Sequence, residues 1–211
     1  MFRPTLLFLG GALLVAALVP PALAVRVHVR VEGKTATIYG ATEPVLDVQP
    51  AEVTVPEVPR IVSPLGALEA ASVAGEFYYN AKSTSFGVYV DQIGRYPAAA
   101  TAGWVFKVNG ASPPVGAGEV RLNGGDRVLW YWAQFGDIPG GPPTLRLQRR
   151  PGGCYRVLAQ SDAGRTSAAS GAVLVVDGRR VRTKAGTACP GPHRGLVRAV
   201  RAGSVRSNAV R

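Results

Sequence analysis

The stretch Gly125-Asp126-Arg127-Val128-Leu129-Trp130-Tyr131-Trp132 decides how the first half of this chain folds. Asn123-Gly124-Gly125-Asp126 is a turn signal, and the run after it is β-branched and aromatic, which suits a pleated surface. Side chains alternate across a strand, so Val128, Trp130 and Trp132 share one face while Leu129 and Tyr131 share the other. An earlier stretch, Gly103-Trp104-Val105-Phe106-Lys107-Val108-Asn109-Gly110, reads the same way. Trp104, Phe106 and Val108 face one side, Val105 and Lys107 the other, and Asn109-Gly110 ends the strand in a turn. A sheet backed by a helix needs only one apolar face. The larger aromatic set, Trp104, Phe106 and Trp130, is therefore expected in the core.

Working outward, Leu65 to Gly75 is the one helical pattern, with Leu68, Ala71 and Ser72 on one face and Gly75 at its end. Val25 to Val31 alternates strictly, with valines on one face and Arg26, His28 and Arg30 on the other. Thr35 to Tyr39 pairs back on it as a hairpin after Gly33-Lys34. Pro44 to Pro64 reads as a proline-rich loop with one edge strand at Val53-Thr54-Val55. Phe77 to Tyr79 leads into a strand, and another runs from Phe86 to Ile93, stopped by Gly94.

Gly136 to Pro143 is rich in Gly and Pro and marks a boundary. It divides a domain over residues 25–137 from one over residues 144–211, with 138–143 as the linker. Strands are expected beyond it at Thr144 to Gln148, Cys154 to Gln160, Ala172 to Val176, Arg179 to Thr183, Gly195 to Val200 and Val205 to Val210. Short strands with turn signals such as Asp177-Gly178 between them predict a small antiparallel sandwich. The expected fold class is thus mainly β: a sheet-and-helix domain, then a β-sandwich.

The first domain resembles the transcobalamin-like C-terminal domain, an uncharacterised family that shares the β-domain of vitamin B12 carriers. Three stretches carry the likeness: Leu65 to Ala71, Phe86 to Gly94, and Gly103 to Gly110 continuing through Val115-Gly116-Ala117-Gly118 to Trp132. The resemblance implies a β-grasp-like fold, with a mixed sheet curled round one helix. By analogy it also implies corrinoid (cobalamin) binding as an alternative function. In the carriers a large helical domain shares that task, and this chain has no such domain. The second domain is similar to carboxypeptidase-regulatory, transthyretin-like or immunoglobulin-like sandwiches, through Leu174 to Arg179 and Gly203 to Val210.

Charge divides at the same boundary. Residues 142–211 carry 14 Lys/Arg against Asp162 and Asp177, whereas residues 25–141 carry 9 Lys/Arg against 11 Asp/Glu. A basic half of this kind suits attachment to a cell-surface polyanion, or is simply an Arg-rich solvated surface. Nothing indicates sequence-specific nucleic-acid recognition. Leu6 to Val19 is uncharged and follows Arg3, and Ala22-Leu23-Ala24 fits a processing site, so residues 1–24 read as a signal peptide. The run would reach only about 21 Å as a helix, against about 30 Å of hydrocarbon. A secreted or cell-surface protein with no span after cleavage is expected. In that oxidising setting Cys154 and Cys189 are expected to form a disulfide.

A search for chemistry turns up no catalytic set. His28 lies among arginines on a strand and His193 follows Pro192. Gly33-Lys34-Thr35 lacks the preceding glycine and the following helix of a phosphate loop. Asp126 and Glu119 flank turns and suit turn roles. No metal site, catalytic residue or cofactor is expected. The remaining candidate is the face left over by the core, with Tyr131, Leu129 and Val105 shown to solvent and Tyr89 beside them. An apolar strip of that kind marks a contact surface, unless the second domain covers it. The expected function is a secreted non-catalytic binding or adhesion module for a small ligand or glycan.

Overall fold

A computed structural model describes residues 24–53, 60–85, 87–135 and 141–211. The expected signal segment up to Leu23, the pair Thr54-Val55, Phe86 at the start of an expected strand, and residues 138–140 of the expected linker lie outside the described residues. The first half runs β1 (Val25–Glu32), β2 (Thr37–Tyr39), β3 (Val45–Val48), α1 (Pro64–Ala74), β4 (Tyr79–Thr84), β5 (Gly87–Ile93), β6 (Tyr96–Pro97), β7 (Ala102–Val108) and β8 (Arg127–Gln134). Strand β3 falls inside the stretch expected to be loop, and Val53 is only a bend. The edge partner of β1 is therefore Val45–Val48, where Val45 to Val48 align with His28 to Val25.

Strand β1 is the hub of the main sheet. It runs parallel to β8, from His28↔Arg127 to Glu32↔Tyr131, and antiparallel to β2 and β3. Strand β7 pairs antiparallel with the other edge of β8, with Trp104 opposite Trp132 and Val105 opposite Tyr131. This mixed sheet curls over α1, as the family resemblance implied. Val27, Val29, Val31, Val128, Trp130 and Trp104 meet Leu65, Leu68 and Ala71 in one buried cluster. The Trp130 indole N–H donates to Pro64 O at 2.9 Å, which satisfies its one polar atom in the core. Ser63 caps α1 by accepting from the Gly66 N–H. Gly66 is obligatory because a Cβ there would sit 2.2 Å from Gln49 O. Strands β4, β5 and β6 form a separate antiparallel sheet, which sends Val88, Val90 and Ile93 into the same core.

The second half runs β9 (Thr144–Arg150), β10 (Cys154–Gln160), β11 (Thr166–Ala168), β12 (Val173–Val176), β13 (Arg179–Arg182), β14 (Thr187–Ala188), β15 (Val197–Val200) and β16 (Ala209–Val210). Two four-stranded sheets result, one of β11-β10-β14 with β9 and one of β13-β12-β15-β16. Leu145, Leu147, Tyr155, Val157, Leu174, Val176 and Val197 form the core between them. Asp177 and Gly178 both take positive φ, 46° and 71°, as the two-residue hairpin β12–β13 requires. A disulfide joins Cys154 to Cys189, 35 positions apart. The short strands β11 and β14 carry no period of their own and were not legible as strands.

The expectation of an open face on the main sheet is corrected. Tyr131 is fully buried and Leu129 nearly so, clustered with Val205 of the second half. The C-terminal part of the charged side of β1 is covered as well, since Arg30 and Glu32 are 3 % and 1 % exposed, while Arg26 at its start stays exposed. The cause is charge matching across the two halves. Glu32 pairs with Arg206 at 3.0 Å and with Arg198, both of the second half, and with Arg30 of its own strand at 3.2 Å. Glu43 pairs with Arg146 at 3.0 Å. Lys107 is fully buried and bonds to Thr144 Oγ1, Gln160 O, Ser161 O and the Asp162 carboxylate. Buried charges persist only when paired in this way. Part of the basic excess of the second half is consumed in this contact.

Candidate functional site

The site lies where the main sheet ends. Strand β7 is its edge, and β5 of the neighbouring sheet stands across a gap from it. A cavity of about 410 Å³ occupies that gap. Its wall includes three successive residues of β5, Val88 to Val90, and four of β7, Gly103 to Phe106. Successive residues of a strand point to opposite faces, so a cavity touching all of them runs along strand edges and not over a face. The loop at Ser112-Pro113 and Gly116-Ala117 closes one side, and Phe135 stands at the other end.

Gly103 sets the depth of this cleft. The position its Cβ would occupy lies 3.3 Å from Tyr89 Oη and 3.7 Å from a Phe135 ring carbon, so a larger residue would fill the space. Tyr89 therefore leans across the gap toward β7 while its ring stays 46 % exposed. On the floor, Trp104 packs edge-on against Trp132 at 5.6 Å, and Phe106 lies 5.2 Å from Trp130.

One corner is polar. Asp162 reaches in from the second half, held by Lys107 Nζ at 3.1 Å, by the Ser112 hydroxyl, which donates at 3.3 Å, and by the bond from Ser112 N to Asp162 O at 2.7 Å. The Tyr131 hydroxyl is buried beside the Ser112 side chain, with which it falls short of a well-formed hydrogen bond. Burial, with the Asp162 charge behind it, pushes its ionisation well above the ordinary tyrosine value, so the group is a neutral donor. Burial lowers the pKa of Lys107, and Asp162 opposes that shift.

Of the four residues singled out in the sequence, the structure brings Tyr131, Val105 and Tyr89 to this cleft. Leu129 is not there. It sits beside a small polar cavity of about 150 Å³ with Arg30, Glu43, Arg127 and Arg146. Asp162 and Ser112 were missed, because nothing in the spacing of residues 112 and 162 links them to position 131. The one available signal was that Asp162 is one of two acids in a basic half.

The histidines lie elsewhere. His28 Nδ1 is 2.9 Å from Glu43 O, and His193 Nε2 is 2.9 Å from the Tyr155 hydroxyl. Asp126 accepts from Asn123 N and Glu119 from Gly116 N, both turn contacts. Among the described residues no group of three His, Cys, Asp or Glu could hold a metal ion, and no helix is long and apolar enough to cross a membrane.

No curated protein matches the chain. Residues 65–134, from the first turn of α1 to the last residue of β8, match the model of a family described as a domain of unknown function, DUF4430. That segment contains most of the cleft wall, including Tyr89, Trp104, Val105 and Tyr131, but not Asp162.

Proposed function

We propose that this chain is a secreted, non-catalytic binding module whose ligand enters the cleft between β5 and β7. One observation carries the reading: an apolar cavity of about 410 Å³ is walled by Tyr89, Trp104, Phe106 and Trp130 and has Ser112 and Asp162 among its lining. Pockets of a few hundred Å³ with apolar walls and a few convergent polar groups are the usual form of small-ligand sites. The family resemblance points the same way, toward a β-domain used for capture. A cavity of this size suits a fragment-sized ligand better than a whole corrinoid, so corrinoid capture is not the reading favoured.

Trp104 and Trp130 line the cleft, so tryptophan emission reports occupancy. Titration with small aromatic and amide-bearing compounds is expected to shift that emission saturably in the wild type. Tyr89→Ala removes an exposed wall residue and should weaken the response without lowering stability. Equal responses in the two proteins would remove the cleft from consideration.

A second reading rests on β13, where Arg179, Arg180 and Arg182 are exposed on an edge strand. No ion pair involves them among the described residues, which favours attachment to an anionic polymer. That binding would fall steeply between low and high salt, whereas cleft binding would not.

A further inference from the structure

The hydrogen-bond register of β7 identifies what kind of ligand the cleft is built to hold. Thr101 O accepts from Phe135 N at 2.7 Å, and Asn109 N donates to Arg127 O at 2.9 Å. Odd-numbered residues of β7 therefore turn their backbone groups toward β8. Even-numbered residues turn theirs to the open edge. Ala102 and Val108 confirm this, because each forms a two-way bridge on that edge, with Ala99 and Ala111 respectively. Trp104 and Phe106 lie between the two bridges. Their two N–H and two C=O groups face the cleft, and no described residue bonds to them. Trp104 is only 4 % exposed, so its unpaired groups are not simply left to bulk water.

Resting on the cleft reading above, we propose that the ligand is a short extended peptide segment that adds to β7 as a strand. Two donors and two acceptors in strand register match the backbone of three successive residues in an extended chain. The window from Trp104 to Phe106 spans about 7 Å at strand rise. The bridges at Ala102 and Val108 close it at both ends, so a chain end or a tight loop fits and a long strand does not. Side chains of the peptide would lie against Tyr89 and Val88 on one wall and Pro113 on another.

The test uses the whole chain and a synthetic pool of N-acetylated, C-amidated tetrapeptides, with indole and p-cresol as non-peptide probes. A selected peptide is expected to slow amide exchange at Trp104 and Phe106 by about tenfold or more. N-methylation of its register-matched residue should cost about tenfold in affinity, the size of one or two lost hydrogen bonds. Binding of indole or p-cresol at Tyr89 and Phe135 without any peptide binding would overturn strand addition and leave the cleft reading standing. Peptide binding without protection of the two amides would do the same. Failure of every probe to bind would overturn both.

Discussion

The Tyr131 hydroxyl offers a test of how well the covered sheet face satisfies its own polar groups. Tyr131 is completely buried, so Tyr131→Ala would leave a cavity and cost about 3–5 kcal/mol. Its effect on binding could not be separated from unfolding. Tyr131→Phe keeps the ring against Leu129, Ala133 and Val205 and removes only the oxygen. A buried hydroxyl without a partner costs about 1–3 kcal/mol. Because the Ser112 side chain lies beside the group, the low end applies, and the variant should gain about 1 kcal/mol. For a protein of this size that is about 2–4 °C in Tm. Thermal unfolding followed by circular dichroism measures it directly. A Tm that falls by 2 °C or more would show that Ser112 already satisfies the hydroxyl, and the reasoning would be refuted.

Glu32→Gln should be severely destabilising, by about 3–5 kcal/mol, because three guanidinium groups would lose their buried counter-charge; urea unfolding of the variant checks this, and a change under 1 kcal/mol would contradict the pairing. Replacing Cys154 and Cys189 together by Ser should cost about 4 kcal/mol by the loop-entropy estimate for a closed loop of this length, read as a lower urea midpoint. Burial raises the pKa of both Tyr79 and Tyr131 above the ordinary 10.0. The folded state then keeps protons that the unfolded state releases, so their contribution to stability is lost as pH climbs above 10.0. Phenolate absorbance near pH 10 should therefore have the same amplitude in Tyr131→Phe as in the wild type. In the free protein the Trp104 and Phe106 amides should exchange faster than those of Val105 and Lys107, and the reverse order would mean the register of β7 is misassigned.

The local pattern was readable wherever one physical rule dominates. Alternation placed Trp104, Phe106 and Trp130 on the core face, and the turn pairs Asn109-Gly110 and Asp177-Gly178 adopt positive φ as such dipeptides do. The strand Val45–Val48 was not readable, because its proline-rich flanks signal loop and its pairing is supplied entirely by β1. The exposure of Tyr131 was misjudged for a related reason. Alternation says which residues share a face, but it cannot say what covers that face. Asp162, 31 positions from Tyr131 in the chain, enters the cleft only because Lys107 and Ser112 hold it there.

By itself the sequence determined the fold class, the single α-helix, the core-facing aromatics and the paired cysteines, because these follow from period, turn chemistry and an even cysteine count, all local or compositional. Only the tertiary structure decided that the second half seals the outer sheet face through Glu32, Glu43 and Lys107, and that the open surface is the edge of β7 and not its face. Those outcomes depend on charge matching and strand register between segments far apart in the chain, and no periodicity within either segment encodes them.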